Sequence, residues 1–158
     1  MAAEGVRIEG LEALTAKLKE MPRVMRNRVL KNALSAGARL VRDEAKRNAP
    51  LLSLQAKAPY RTRGTVQKAI TVRASKVARR AGDVGVFVNV RPAKSGQRGA
   101  KSKTDPFYWK FLEFGTKKMS ASSFLKPAAA RLGDALKAFE ASLGKWVSKV
   151  EASGKVQP

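Results

Sequence analysis

The side chains best suited to chemistry near neutral pH are missing from this sequence, which has no cysteine and no histidine. Thiolate nucleophiles, disulfide staples, Cys/His zinc sites and imidazole bases are thereby excluded. The adjacent acid pair Asp43-Glu44 falls in a helical stretch, where neighbours one apart do not face each other. Gly115-Thr116-Lys117 is the nearest approach to a phosphate loop, but the Gly-x-x-x-x-Gly-Lys-Ser/Thr spacing that cradles phosphates is absent. Two isolated carboxylates are the remaining enzymatic arrangement, and no spacing favours them. The expectation is a protein that is not an enzyme and needs no metal and no cofactor.

Charge is what the sequence does carry. Lysine and arginine number 33 against 12 acids, a formal +21 over 158 residues, where a small soluble domain usually holds a charge of magnitude about 2–8. Between Lys46 and Lys103 stand 15 basic residues and one acid, Asp83, while six of the twelve acids lie in the first 45 residues. Such like-charge crowding is costly to fold and is relieved when phosphates or an acidic partner lie opposite. Candidate contacts to DNA or to an acidic partner are Arg61, Arg63, Lys68, Arg73, Lys76, Arg79, Arg80, Arg91, Lys94, Arg98, Lys101 and Lys103. No zinc finger, basic zipper or base-stacking motif accompanies them, so the expected contact is to backbone phosphates and steeply salt-dependent.

The elements that must position these cations read as follows. Apolar residues are 44% of the chain, enough for one modest core. Val6 to Glu9 alternates and is expected to be a short strand. Leu11, Leu14 and Leu18 fall at helical spacing before Met21-Pro22. From Arg23 to about Asn48, Leu30, Leu34, Gly37, Val41 and Ala45 hold one face of a long helix. Val66 to Arg73 and Val84 to Val90 read as strands, joined through the turn Ala81-Gly82-Asp83 as an antiparallel pair. Arg91 to Thr104 has five basic residues and no large apolar side chain, so it is expected to be mobile until something ties it down.

Phe107 to Phe114 holds five of the ten aromatic residues and fits a strand or a short helix. On a strand, Phe107, Trp109 and Phe111 or their alternates would face a core; alternatively the block anchors a subunit interface. Candidate interface residues are Tyr108, Trp109, Phe111, Glu113, Phe114, Phe124 and Leu125. Glu113, a lone acid in aromatic surroundings, is expected to meet an arginine of its own chain or of a neighbour. Leu132, Leu136, Phe139, Leu143, Trp146 and Val150 form a near-heptad seam on a final helix. The fold expected is α+β: a small antiparallel sheet packed against two long helices, N-terminal and C-terminal, with long basic loops. One domain is expected over residues 1–151, with a mobile basic loop at 91–105 and a frayed tail at 152–158. Met1 to Gly5 has neither the basic nor the apolar region of a signal peptide, and no apolar run approaches the roughly 20 residues that span a bilayer.

Five pieces of the sequence, in order, resemble a known family: Ala58-Pro59, Thr62 to Gly64, Ala69 to Val72, Tyr108 to Thr116, and Phe124 to Ala128. The most specific is Leu112-Glu113-Phe114-Gly115-Thr116 followed nine residues on by Leu125-Lys126-Pro127. Together they look like the tail-completion and head–tail joining (neck) proteins of long-tailed bacteriophages, related to the tenth gene product of a lambdoid phage. Arg63 interrupts the compact turn usual in that family, and Leu51 to Lys57 looks like an addition. The resemblance implies a structural virion protein, assembled in the bacterial host cytoplasm, that forms a ring, commonly a hexamer. It also implies neighbours: a tail terminator or tail tube protein on one side, a head-closure or adaptor protein on the other, and packaged DNA in the lumen, with no membrane. The alternative is a sequence-nonspecific DNA- or RNA-binding protein.

Overall fold

The computed structural model describes residues 11–51 and 62–153. The expected strand Val6–Glu9, the Ala58-Pro59 pair, Arg61 and most of the expected tail lie outside the described residues.

Helix α1 (Leu11–Glu20) ends where Pro22 stops it, and α2 (Arg23–Asn48) starts directly after. Leu18 and Met21 pack onto Val29 and Ala33 of α2 and onto Leu143 and Val147 of the last long helix, α7 (Leu132–Ala152), forming one core. The inward line of α2 passes through Val29, Ala33, Gly37 and Ala45, while Leu30, Leu34 and Val41 sit on its flanks. At Gly37 the backbone of α2 packs closely against that of α7. A Cβ there would lie 2.3 Å from the carbonyl oxygen of Ala135, so only glycine permits this approach.

That contact corrects the seam expected on α7. Its buried positions are Ala135, Leu143 and Val147. Leu132 is 61% exposed, and Phe139, Trp146 and Val150 are half-buried at the rim. Because small Ala135 must face Gly37, the seam runs one residue round from the line through the larger side chains.

The stretch expected as a strand over Val66–Arg73 is a helical turn followed by a strand: α3 (Thr65–Ala69), then β1 (Ile70–Ala74). Gly64, in the left-handed region at φ 76°, opens α3, and the Lys68 amide donates to its carbonyl at 2.9 Å. Val66 and Ile70 both reach the second core. They share a side equally well as alternate strand positions or as i and i+4 on a helix, so periodicity alone leaves the two conformations equivalent. β1 pairs antiparallel with β2 (Val86–Val90), Ile70 opposite Val90 and Ala74 opposite Val86. The connection is longer than a tight turn. It contains α4 (Lys76–Arg80), capped by Ser75, whose hydroxyl accepts from the Ala78 amide at 3.1 Å. Gly82 at φ 84° then turns the chain back.

The second core joins Ala45 and Ala49 of α2 to Val66, Ile70, Val90, Phe124 and Ala128. It seats two short helices, α5 (Trp109–Phe114) and α6 (Leu125–Ala128), the latter running through a 3-10 turn (Ala129–Arg131) into α7. Pro127 lies in the first turn of α6, where its missing N–H is not needed. The fold is α+β: a two-stranded antiparallel sheet packed on α2, with the long C-terminal helix α7 packed along the same helix.

Candidate assembly surfaces

Two features of the surface have the chemistry of contact: an aromatic patch on α5 and a set of exposed cations. The patch is built by Glu113. Its carboxylate is buried, at 5% exposure, and no arginine among the described residues pairs with it. Instead it accepts from three successive main-chain amides, Phe124 at 2.8 Å and Leu125 at 3.0 Å through Oε2, and Lys126 at 2.9 Å through Oε1. Within the described chain, main-chain amides stand where an arginine was expected. The first amides of a helix are without intrahelical acceptors, and a carboxylate there is favoured by both hydrogen bonding and the helix dipole. Main-chain bonds continue the tie: the Ser122 amide donates to the Leu112 carbonyl at 2.8 Å, and the Ser123 hydroxyl donates to the Glu113 carbonyl at 2.8 Å. Gly115, at φ 74°, has Met119 O and Ala121 N each 2.9 Å from where a Cβ would stand. The Leu-Glu-Phe-Gly-Thr and Phe-Leu-Lys-Pro pieces are thus two halves of one knot.

The knot sorts the candidate interface residues. Phe124 is fully buried in the core, and Glu113 is enclosed in the knot, so neither lies on the surface. Tyr108, Trp109 and Leu125 are half-buried against the core. Phe111 and Phe114 are one helical turn apart on α5 and are 50% and 76% exposed; Phe107 and Met119, in the segments that flank α5 in sequence, are also exposed. Because the block is a helix and not a strand, Phe107 and Phe111 do not face the core. Large apolar side chains grouped in this way on a rigid support mark a contact site.

Eleven of the twelve candidate cations are among the described residues, and all eleven are exposed. None of them makes an ion pair among the described residues. They divide between the two ends of the hairpin and do not converge on one point. Arg73, Lys76, Arg79 and Arg80 gather where β1 passes into α4. At the other end, the Arg91 amide bonds the Ala69 carbonyl at 2.8 Å, beside Lys68, and the Thr62 amide bonds the Lys103 carbonyl at 3.2 Å, beside Arg63. Lys94, Arg98 and Lys101 belong to the loop between Arg91 and Lys103.

That loop has no helix or strand, but it has an anchor the sequence reading missed. Asp105 is 3% exposed, and its carboxylate accepts from the Ala93 amide at 3.1 Å and the Gly99 amide at 2.7 Å. Asp105 lies two residues past the basic stretch, and its spacing from Ala93 and Gly99 follows no motif, so nothing in the sequence flags it. Also missed are Arg39, Arg42 and Lys46 on α2, which line a groove beside β1. Their spacing of three and four was visible as a helical face; the hydrophobic stripe on the opposite side drew the reading.

A knot that displays aromatics, unpaired cations on both hairpin ends and acids turned to structural use describe a structural protein built for contact. The sequence profile of the HK97-gp10-like family of bacteriophage tail components matches residues 12–115. The chain belongs to that family and is a bacteriophage tail component, a part of the virion. No curated protein and no solved structure matches the chain. The matched range runs from α1 to the end of α5; α6 and α7, which supply the amides for Glu113 and the partner of Gly37, lie beyond it.

Proposed function

We propose that this tail component forms an oligomeric ring, a hexamer, that completes the tail and joins it to the head without catalysing a reaction. The observation that carries the reading is the pair Phe111 and Phe114, held outward on a knot whose own carboxylate is fully used. On a monomer this apolar surface would remain wet; against a neighbouring copy it is buried, and each aromatic side chain contributes up to about 150–250 Å² of contact. The patch faces a different surface on the next copy, and such head-to-tail contacts close into rings.

In this ring the exposed cations face packaged DNA in the lumen or the acidic surface of an adjoining ring, a tail terminator or tube protein on one side and a head-closure or adaptor protein on the other. The exposed, unpaired state of the eleven cations supports this, since self-repulsion of this size is relieved by opposite charge. Assembly takes place in the host cytoplasm; no helix among the described residues is long and apolar enough to cross a membrane. Native mass measurement tests the ring: the wild-type chain gives a closed oligomer, and Phe111→Asp with Phe114→Asp gives monomer. A wild-type chain that stays monomeric alone and with its tail neighbours contradicts the proposal.

A further inference from the structure

Among the described residues β1 and β2 form a two-stranded sheet, so each has one edge with no described strand beside it. The Ser75 amide donates to the Gly85 carbonyl and the Arg91 amide to the Ala69 carbonyl, both at 2.8 Å. With Ile70 opposite Val90, these bonds fix the ladder: Thr71 exchanges bonds with Asn89, and Arg73 with Phe87. The amide and carbonyl of Val72, between them, point away from β2. Among the described residues they have no hydrogen-bond partner.

Helix α2 packs against both strands. A groove of about 340 Å³ separates Ile70, Thr71 and Val72 from Arg39, Arg42 and Lys46. Arg42 is engaged by its neighbour, Nε to Asp43 Oδ1 at 2.8 Å and the terminal nitrogen to Oδ2 at 3.0 Å. These bonds hold the Asp43 carboxyl below the usual carboxylate range. Arg39 and Lys46 have no ion pair among the described residues. Charges that guard an edge against pairing stand on the strand itself. Here β1 carries one charge, Arg73 beyond Val72; Ile70 to Val72 is uncharged, and the other cations stand across the groove.

We propose that the groove between α2 and β1 is a strand-addition site for an extended acidic segment of a neighbouring protein. The segment's main chain bonds the free groups of Val72, and its alternate carboxylates meet Arg39 and Lys46, the division of labour by which strand addition obtains affinity and specificity. The inference rests on the reading above for the presence of protein neighbours, and adds which edge meets one and what that neighbour supplies.

The test is a fluorescence-anisotropy titration of the whole chain, in about 0.15 M salt to screen diffuse attraction. The probe is a labelled peptide of about eight residues, a typical strand length, alternating valine and glutamate. The same peptide with its backbone amides N-methylated keeps every charge and is expected to bind at least about tenfold more weakly. Arg39→Ala with Lys46→Ala weakens the unmethylated peptide by a similar factor. Val72→Pro, which removes an outward amide that the ladder does not use, also weakens it and leaves binding of duplex DNA unchanged. Equal binding of the methylated and unmethylated peptides overturns the proposal, as does a folded Val72→Pro variant that binds the peptide like wild type. The titration reads the groove whether or not the chain assembles, so a chain that binds the peptide yet stays monomeric alone and with its tail neighbours refutes the ring alone, and a ring that ignores the peptide refutes the groove alone.

Discussion

Glu113 shows how far a single residue could be read. Its type and aromatic setting announced that a carboxylate there needs a partner, and it has one. What the sequence could not disclose was the partner's nature, because main-chain amides have no letter code and those of Phe124, Leu125 and Lys126 become available only once α6 begins there. Glu113→Ala leaves three enclosed amides without an acceptor and is expected to cost about 3 kcal/mol in urea unfolding; Glu113→Gln, whose carbonyl still accepts, costs less. A loss under about 1 kcal/mol for the alanine variant would show that water replaces the carboxylate easily. Gly37 was legible as a member of the α2 face, but not as a close backbone contact, since its need for glycine comes from Ala135 on a helix distant in sequence. Gly37→Ala forces a Cβ against a main-chain oxygen and is expected to destabilise by about 1–3 kcal/mol or more. Asp105 was not legible at all. Asp105→Ala releases the amides of Ala93 and Gly99, and trypsin is expected to cut the loop at Lys94, Arg98 and Lys101 faster than in wild type; an unchanged cleavage rate would show that Asp105 does not restrain it.

At the scale of elements, long amphipathic patterns read well and short ones did not. α1 and α2 stand where leucine spacing and proline put them, and the antiparallel pairing of the two β-branched runs is as expected. The errors have one physical origin: over five or so residues, alternation and one helical turn place the same side chains on the same side. Val66 and Ile70 satisfy either, and the left-handed Gly64 tips the choice to a turn of helix. The aromatic block resolved in the same way, into a helix that shows Phe111 and Phe114 to solvent. Because these two side chains are exposed, Phe111→Asp and Phe114→Asp are expected to change monomer stability by no more than about 0.5 kcal/mol while abolishing association. Unfolding of the variant monomers instead would place both rings in the chain's own core.

The whole molecule is governed by its charge, which composition made plain from the start. Where that charge goes in space was not readable, since residues far apart in sequence share an end of the hairpin while neighbours in sequence can lie at opposite ends. The cations at the two ends, Arg73 with the α4 residues and Lys68 with the loop around Lys103, are separated by the length of a strand, so they suit an extended surface and not a single ligand. Self-repulsion in a chain with a formal +21 is relieved by counter-charge, and the ring we propose supplies it. Imaging the assembled tail end at side-chain resolution addresses this most directly. The expected result is a closed ring in which Lys76, Arg79, Lys94, Arg98 and Lys101 have their nitrogens within about 4 Å of DNA phosphates or of carboxylates on an adjoining protein. A ring whose hairpin ends and basic loop point into open solvent, with no anionic surface near them, would contradict it.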